Sequence, residues 1–585
     1  NISMGNKDDE MILFHIADEP GWYYPGIVEN LKGKESRLEV FRNYLDSKGF
    51  TPEFFGKEIW NEIFPLNLSE IKTKGDKKIF YWTTRFFAES LSNAFSLATK
   101  AFVKNYNKKI LTTTNLNNWP GRFFIPSPGK HIGNNPDRGP NAAMGAPDWF
   151  DLGRKKAVTC IWTEDWFGDN SAQLWSFYGD LLRCAARQGD IEFGGYIVGQ
   201  GLGSVEDGGK YKTLALIGHG AKAVEFYIFG PYYAFIDGWS ENKNAYKSIA
   251  DALRLVGKAE ELLFLGRPKD GTVAILFPIS SQVWDNDSSL PLYLLELYGL
   301  HEGLIHENYP VDFIDDFDVE NGILKNKNYS VLYVTAPNLS EKAQRQILNY
   351  VKNGGILVLM PGACAFDEYN EPLSIITEKS ETKNIQVKRE SSAAIEKEKR
   401  LEKSIIFKEK LFDFKNIISI KFQSVPLEVK NGKIVAEYND GTPAISEVKY
   451  EKGIIISYGF WPGVNYHFSQ DNNRGDRLPI GWDENIRKII TYPALIANTK
   501  KYVEISESLV EGCYLISEKG IAIVLLNWSG KPLSNIDLII DGVKNCKFVK
   551  SVELGKVLNH EKINENKIKI NLPLKTVDIV LIFFE

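Results

Sequence analysis

Two glutamates stand where a short apolar run gives way to a polar loop, and their type suits acid and base chemistry. Glu19 lies in the segment Asp18-Glu19-Pro20, and Glu164 ends another such run. One carboxylic acid can protonate a leaving oxygen while a second carboxylate serves as nucleophile or base, which is the chemistry of glycoside hydrolysis. Because proline restricts the residue before it, we expect Glu19 to be extended and held where strand meets loop.

Each of these carboxylates also has a structural alternative. Asp18 and Glu19 could instead bond loop amides, and Glu164 with Asp165 could form a loop salt bridge. Consecutive residues in an extended chain point to opposite faces, so only one of Glu164 and Asp165 can face the site. The sequence does not say which, and Asp165 remains the second choice as partner of Glu19.

Amides and aromatic rings near these positions complete an inventory for binding a sugar. A pyranose has an apolar C–H face and a polar rim, and aromatic residues make up 12% of the chain. Hydroxyl-binding candidates are Asp18, Asn115, Asn117, Asn118 and Asp165. Candidate sugar platforms are Trp22, Trp119, Trp166 and Tyr232.

The elements that position these residues alternate strand and helix, as in an α/β domain with a parallel sheet. The predicted strands are Ile12–Ala17, Ile110–Asn115, Ala157–Thr163, Phe193–Val198 and Ala223–Phe229. The predicted helices between and after them are Tyr81–Asn105, Ala172–Gln188, Tyr211–His219 and Ala245–Leu265. In a (β/α)8-type barrel, catalytic side chains lie at the carboxyl ends of the strands, where both glutamates fall. The long stretch Trp22–Lys78, with helical pieces at Ser36–Lys48 and Lys57–Phe64, is predicted to cross the barrel mouth.

Two further units follow the barrel portion, which we assign to residues 1–268. Residues 269–500 alternate strand and helix in the manner of a flavodoxin-like α/β domain, with a charged, solvated insertion at 379–410. Residues 501–585 show only short alternating strands, which predicts an antiparallel β-sandwich.

Composition excludes several classes of partner and cofactor. A formal net charge of -5 gives no electrostatic reason to expect nucleic acid, and no apolar run reaches membrane-spanning length. The five cysteines lack CxxC spacing and the seven histidines lack HxH or HExxH spacing, so the sequence predicts neither a disulfide framework nor a metal site. Gly199-Gln200-Gly201-Leu202-Gly203 lacks dinucleotide-binding spacing, and Cys364 has no histidine partner of amidotransferase type. We therefore expect no cofactor.

The order of barrel portion, flavodoxin-like unit and sandwich resembles the family 42-type β-galactosidases of the clan A glycoside hydrolases. Gly218–Tyr227 is similar to the passage into the last strand of those barrels. Leu332–Gly355 is similar to their trimerisation domain, which looks like a glutamine amidotransferase without its catalytic residues. The resemblance implies that the five strands are the fourth to eighth of a barrel. It also implies that Glu19 is the acid/base, since the clan carries Asn-Glu-Pro after the fourth strand, and that the protein is a homo-oligomer, a trimer by analogy.

The sequence departs from that family at two points. The clan's nucleophile follows the seventh strand, where this chain has Gly199-Gln200-Gly201 and no carboxylate, so Glu164 is the substitute. The first three strands are missing, and the chain begins at Asn1. We expect it to be the C-terminal part of a longer or cleaved protein, or to be completed by another chain. The location, cytoplasmic or periplasmic to secreted, stays open.

The leading hypothesis is a hydrolase of a β-linked sugar with Glu19 as proton donor and Glu164 as its carboxylate partner. A carbohydrate-binding or scaffold protein on a decayed barrel is the first alternative. The second is an enzyme acting on an acidic polysaccharide, whose charge Arg122, Lys130 and Arg138 could hold.

Overall fold

A computed structural model gives the conformation of most of the chain. The residues it describes are 12–20, 26–106, 109–116, 148–165, 167–199, 202–203, 205, 207–235, 238–284, 292–380, 403–408, 417–471 and 477–585. Eight of the candidate residues lie outside these ranges: Trp22, Asn117, Asn118, Trp119, Trp166, Arg122, Lys130 and Arg138.

Five parallel strands form the first part, close to their predicted positions. They are β1 (Leu13–Asp18), β2 (Leu111–Asn115), β3 (Cys160–Asp165), β4 (Glu192–Val198) and β5 (Ala223–Tyr227). β1 pairs with β2, and β3 pairs with β4, which pairs with β5. A parallel bridge from Leu116 to Thr163 joins the two groups, so the strands follow one another in chain order.

Seven helices accompany these strands in the described part of the chain. They are α1 (Ile27–Lys32), α2 (Glu35–Ser47), α3 (Lys74–Asn105), α4 (Trp149–Arg154), α5 (Leu174–Arg187), α6 (Gly208–Gly218) and α7 (Lys243–Leu265). The helix predicted at Lys57–Phe64 was wrong: only a 3-10 turn, Trp60–Glu62, forms there. Oε2 of Glu62 accepts from the N–H groups of Glu58 and Ile59 at 2.9 and 3.4 Å, so the chain closes a single capped turn here.

The second part is a nine-stranded mixed sheet. After the two-residue strand β6 (Arg267–Pro268), its strands are β7 (Val273–Phe277), β8 (Val311–Asp315), β9 (Val331–Val334), β10 (Ile356–Leu359), β11 (Lys403–Phe407), β12 (Ile417–Ile420), β13 (Lys433–Tyr438), β14 (Pro443–Tyr450) and β15 (Gly453–Tyr458). Its helices are α8 (Ile279–Trp284), α9 (Leu292–Ile305), α10 (Asp316–Glu320), α11 (Ile323–Asn326), α12 (Glu341–Lys352), α13 (Pro462–His467) and α14 (Glu484–Ile496). The parallel strands run in the order β8-β7-β9-β10-β15, which is the flavodoxin order.

One prediction for this part needs correction. The segment 379–410 was expected to be a solvated excursion, yet β11 lies in it and joins the sheet between β12 and β13. Ile405 at its centre is fully buried. Its apolar residues Ile405 and Ile406 alternate faces, so one of them can enter the core in spite of charged neighbours.

The third part is a β-sandwich. Its strands are β16 (Val503–Ile505), β17 (Val510–Ser517), β18 (Gly520–Asn527), β19 (Leu533–Asp541), β20 (Cys546–Ser551), β21 (Lys556–Leu558), β22 (His560–Asn564), β23 (Lys567–Leu574) and β24 (Val577–Phe584). One sheet has the order β16-β19-β23-β22, and the other has the order β21-β20-β24-β18-β17-β6. β6, from the connection after the barrel portion, is thus an edge strand of the sandwich.

The three parts share their largest hydrophobic cluster. It contains Phe177 of α5, Leu214 of α6, Leu300 of α9 and Val524 of β18, all fully buried. The barrel helices are therefore fixed between the other two parts. Among the described residues, no helix is both long and apolar enough to cross a membrane.

Candidate active site

Polar side chains converge at the carboxyl ends of the barrel strands. The parallel register places Glu164 of β3 beside Tyr196 of β4, and Asp18 of β1 beside Asn115 of β2. In register-paired strands, neighbouring side chains point to the same face. The strand ends therefore bring the two predicted glutamates and Asn115 into one cluster.

Asn115 is the centre of this cluster. Its Nδ2 lies 2.6 Å from Oε2 of Glu164, 2.8 Å from Oδ1 of Asp18 and 2.9 Å from the hydroxyl of Tyr196. The Tyr196 hydroxyl in turn donates to Oε2 of Glu164. Two donors thus hold one carboxyl oxygen, and Asn115, Glu164 and Tyr196 are all buried.

Glu19 is near enough to Glu164 to affect its ionisation. Burial raises the pKa of Glu164 to about 9, and the neighbouring Glu19 acts in the same direction, against the hydrogen bonds from Tyr196 and Asn115. Burial disfavours the charged form of a carboxyl, and so does a nearby carboxylate. Glu164 therefore keeps its proton above neutral pH.

Two buried acceptor atoms of the cluster stay open. Oε1 of Glu164 and Oδ1 of Asn115 have no hydrogen-bond partner among the residues the structure describes. A buried polar atom without a partner costs free energy, so such atoms mark places where a ligand group or water is expected. Both acceptors suit sugar hydroxyls.

The backbone at Glu19 differs from the prediction. Pro20 was expected to keep Glu19 extended, but its φ is +37°, in the left-handed region. The Glu19 N–H donates to the carbonyl of Asn115 at 2.8 Å, and this bond between neighbouring strand ends holds the turn. A non-glycine residue in this conformation costs on the order of 1–3 kcal/mol, and such strain clusters at functional sites.

The structure also separates Glu164 from Asp165, which the sequence could not. Glu164 faces the barrel interior, as Trp162 does. Asp165 faces the helices, where its Oδ2 lies 3.0 Å from Nζ of Lys212 and 2.7 Å from Nε1 of Trp175. With its Oδ1 accepting from the Val198 N–H, Asp165 is fully engaged away from the site.

Three residues of the site region were missed by sequence reasoning: the buried Tyr196, and His15 and Glu225, whose side chains are 37% and 49% exposed. His15 Nε2 of β1 lies 3.8 Å from Glu225 Oε2 of β5, across the open side of the barrel portion. Glu225 is the register neighbour of Tyr196 on β4. The available signal was weak: a tyrosine and a glutamate within otherwise apolar strands, whose facing depends on a register that sequence does not reveal.

Tyr232 is not joined to this cluster. It lies in the loop after β5, is 60% exposed, and its backbone N–H contacts Glu241. The same loop exposes Phe229, Tyr233 and Phe235. An exposed ring can still serve as a platform, so the binding role predicted for Tyr232 stays a prediction.

Comparison with known proteins relates the second part to one family. Residues 291–425 match the family described as GLMA-like, second domain. This segment runs through the flavodoxin-like sheet and includes β8 to β12. No curated protein sequence matches the chain.

Solved structures extend the likeness to the whole chain. A catalytic mutant of a GH42 β-galactosidase from G. stearothermophilus has a TM-score of 0.59 at 14% identity, covering 96% of this chain and 75% of that chain. A β-galactosidase from Bacillus circulans sp. alkalophilus has a TM-score of 0.62 at 14% identity, covering 98% of this chain and 79% of that chain.

A third relative shows the fold with another named activity. An α-L-fucosidase, isoenzyme 2, from Paenibacillus thiaminolyticus has a TM-score of 0.52 at 11% identity, covering 93% of this chain and 75% of that chain. At these identities the likeness concerns the fold. The resemblance to family 42-type β-galactosidases, with barrel portion, flavodoxin-like unit and sandwich, is confirmed at that level.

Proposed function

We propose that this protein is a glycoside hydrolase acting on a β-linked sugar, with Glu19 and Glu164 as its catalytic carboxyl pair. The observation that carries the proposal is the convergence of both glutamates on Asn115: its Nδ2 lies 2.6 Å from Oε2 of Glu164, and its carbonyl accepts from the Glu19 N–H at 2.8 Å. Carboxyl ends of barrel strands are where this architecture carries its chemistry. The fold shared with GH42 β-galactosidases supports the reaction class, while the sugar and its linkage are left to experiment.

The two glutamates have different roles in the proposed reaction, in which the proton of Glu164 moves to Glu19. Glu19 protonates the leaving oxygen, and Glu164 acts as the carboxylate partner. Two donors, Tyr196 and Asn115, stabilise Glu164 as an anion once the proton has moved to Glu19. Asp165, the second choice as partner, is less suited because Lys212 and Trp175 hold it on the other face of β3.

The separation of the two carboxyls distinguishes a retaining from an inverting mechanism. Retaining pairs stand about 5–5.5 Å apart and inverting pairs about 6.5–9.5 Å, the wider gap leaving room for a water. In the retaining mechanism Glu164 attacks the anomeric carbon, and Glu19 then deprotonates the water that releases the sugar.

A carbohydrate-binding protein on a decayed barrel is the second candidate. Its support is the segment Gly199-Gln200-Gly201, which has no carboxylate at the position where the family resemblance places the nucleophile. Under that hypothesis the two glutamates and Asn115 bind hydroxyls and carry out no chemistry.

Hydrolysis of a panel of aryl β-glycosides separates the two candidates. We expect Glu19→Gln and Glu164→Gln each to lower kcat by about 10²–10⁴-fold while sugar binding persists, the range for loss of a general acid or base. Glu39→Gln, on the exposed face of α2, is the matched control and should leave kcat unchanged. Wild-type protein that binds sugars but hydrolyses no member of the panel would favour the binding protein.

A further inference from the structure

A second cluster of chemically competent side chains lies where the three parts of the chain meet. A cavity of about 80 Å³ opens there between the end of α6, the start of β8 and strand β17. His219, Glu511 and Cys513 are among the residues that line it, and all three are buried. None of them belongs to the candidate active site.

The three side chains offer one nitrogen, one oxygen and one sulfur within 4.8 Å of one another. Nε2 of His219 lies 2.8 Å from Oε1 of Glu511, and Sγ of Cys513 lies 3.7 Å from the same oxygen. Bond lengths of zinc to nitrogen, oxygen and sulfur place tetrahedral ligands roughly 3.3 Å apart for N···O and 3.6 Å for S···O. The arrangement is thus within about half an ångström of a metal-binding geometry.

Hydrogen bonds with surrounding residues orient two of these side chains, His219 and Glu511, as they orient the ligands of a metal site. Nδ1 of His219 lies 2.8 Å from Oδ1 of Asp180, which leaves Nε2 to face the cluster. Oε2 of Glu511 accepts from Trp528 Nε1 at 2.9 Å and from Ser176 Oγ at 2.8 Å, which leaves Oε1 facing His219. A carboxylate on the far nitrogen of a ligating histidine is a recurrent feature of zinc sites.

Close packing also fixes the thiol. Gly218 precedes His219 at the end of α6, and a Cβ at this position would lie 2.9 Å from Sγ of Cys513. Only glycine lets β17 approach the helix end so closely. The sequence predicted no metal site because these ligands follow no local motif; His219 and Glu511 are 292 positions apart.

We propose that His219, Glu511 and Cys513 form a binding site for one Zn²⁺ ion. Imidazole, carboxylate and thiolate are the ligand types that zinc accepts, and the cavity supplies room for a water in the fourth position. Binding releases the thiol proton of Cys513 and any proton on Nε2 of His219, so that the ion meets a neutral imidazole and two anions. The ion joins the barrel portion to the sandwich, which gives it a structural role.

The test uses the full chain, freed of metal by a chelator and dialysis. We expect it to take up one Zn²⁺ per chain in competition with a chromophoric chelator, and to unfold at a temperature several degrees higher with zinc present. Co²⁺ in its place should give a thiolate-to-cobalt charge-transfer band. Cys513→Ser should abolish that band and weaken Zn²⁺ binding at least 100-fold, whereas Cys546→Ser, a half-buried thiol on β20, should change neither.

An ion-paired histidine without metal is the outcome that overturns the proposal. In that case the wild-type protein takes up no Zn²⁺ and gives no charge-transfer band, or Cys513→Ser binds zinc as the wild type does. X-ray absorption at the zinc edge of the wild-type protein needs no variant, and therefore decides the matter even if Cys513→Ser fails to fold. One sulfur at about 2.3 Å supports the site, and a shell of nitrogen and oxygen alone contradicts it.

Discussion

At the scale of single residues, burial keeps Glu164 protonated and so available for acid catalysis. The same burial makes the folded chain less stable as the pH rises. Glu164 is buried next to Glu19, and both circumstances favour its protonated form. Tyr196 and Asn115 oppose this by donating to the same oxygen. The site therefore holds a proton that an exposed glutamate would have lost near pH 4.5, and such a proton is what acid catalysis requires.

Glu164→Gln should change how stability depends on pH. The pKa of Glu164 is about 9 in the folded chain and about 4.5 when unfolded, so between these values the folded state binds more protons. Rising pH therefore destabilises the wild type across this window, by a total on the order of a few kcal/mol. The glutamine variant lacks this loss, so we expect it to be the more stable form at pH 8, although inactive.

Denaturant unfolding at pH 5 and pH 8 measures this difference. The advantage of the glutamine variant should be small at pH 5 and should grow at pH 8, while Glu39→Gln follows the wild type at both values. An advantage that does not grow with pH contradicts the raised pKa of Glu164.

The position of some of these residues in the site could be predicted from the sequence, and the position of others could not. The convergence of Glu19, Glu164 and Asn115 could be predicted because they end apolar runs, and strand ends converge in a parallel barrel; their catalytic and binding roles stay predictions. Tyr196 could not, since its part in the site depends on lying beside Glu164 in the register of β3 and β4. The left-handed backbone of Glu19 was missed because it depends on a bond to Asn115, a partner distant in sequence.

At the scale of elements, α6 is tied to β3 by a buried ion pair. Lys212 Nζ lies 3.0 Å from Asp165 Oδ2, and both side chains are fully buried. Lys212 also donates to the carbonyl of Phe167 at 2.7 Å, in the loop that follows the candidate catalytic strand. The pair thus fixes the end of the strand that carries Glu164.

Lys212→Met should be strongly destabilising. It leaves Asp165 buried without its cation, and breaking such a pair costs about 3–5 kcal/mol. The double variant Asp165→Asn, Lys212→Met removes the stranded charge and should recover part of the loss. Chemical denaturation of Asp165→Asn, Lys212→Met and the double variant measures the three losses. If the double variant is as unstable as the two single losses combined, the two residues do not act as a pair.

Elements were predicted well where one periodicity held throughout, as in β1 to β5 and in α5. They were missed where tertiary contacts decide: β11 lies in a charged segment, and the sheet needs only its alternate residue Ile405 to be apolar. The residues Lys57–Phe64 have a helical pattern, but the Glu62 side chain bonds the backbone of Glu58 and Ile59 and only one 3-10 turn forms.

At the scale of the whole molecule, charged groups join the barrel portion to the flavodoxin-like part. Asp312 on β8 is fully buried. Its Oδ1 lies 2.9 Å from Nη1 of Arg183 and its Oδ2 lies 2.7 Å from Nη1 of Arg187, and both arginines are on α5. Burial alone would raise the pKa of Asp312, but the two guanidinium groups outweigh it and lower the pKa to about 2. These two ion pairs hold the barrel portion against the flavodoxin-like part.

Asp312→Asn should therefore change the acid limb of stability. Because the pKa of Asp312 is lowered on folding, its contribution is present above pH 4 and is lost as pH falls through about 2. The variant should be less stable than the wild type at pH 7, and the difference should shrink as the pH approaches 2. Thermal unfolding followed between pH 7 and pH 2 measures this, and a constant difference would falsify the role of the arginine pair.

One edge strand of the sandwich, β6, lies far earlier in the chain than the other strands. β6 pairs with β17 through Arg267 with Ile516 and Pro268 with Leu515. During synthesis at about 5–20 residues per second, these partners leave the ribosome roughly 10–50 s apart. Over that interval the surfaces of α6 and α7 that contact the sandwich are exposed, because the strands that cover them have not yet been synthesised. The growing chain is therefore most open to chaperones and aggregation late in translation, and changes that speed the emergence of β17 should raise the yield of folded protein.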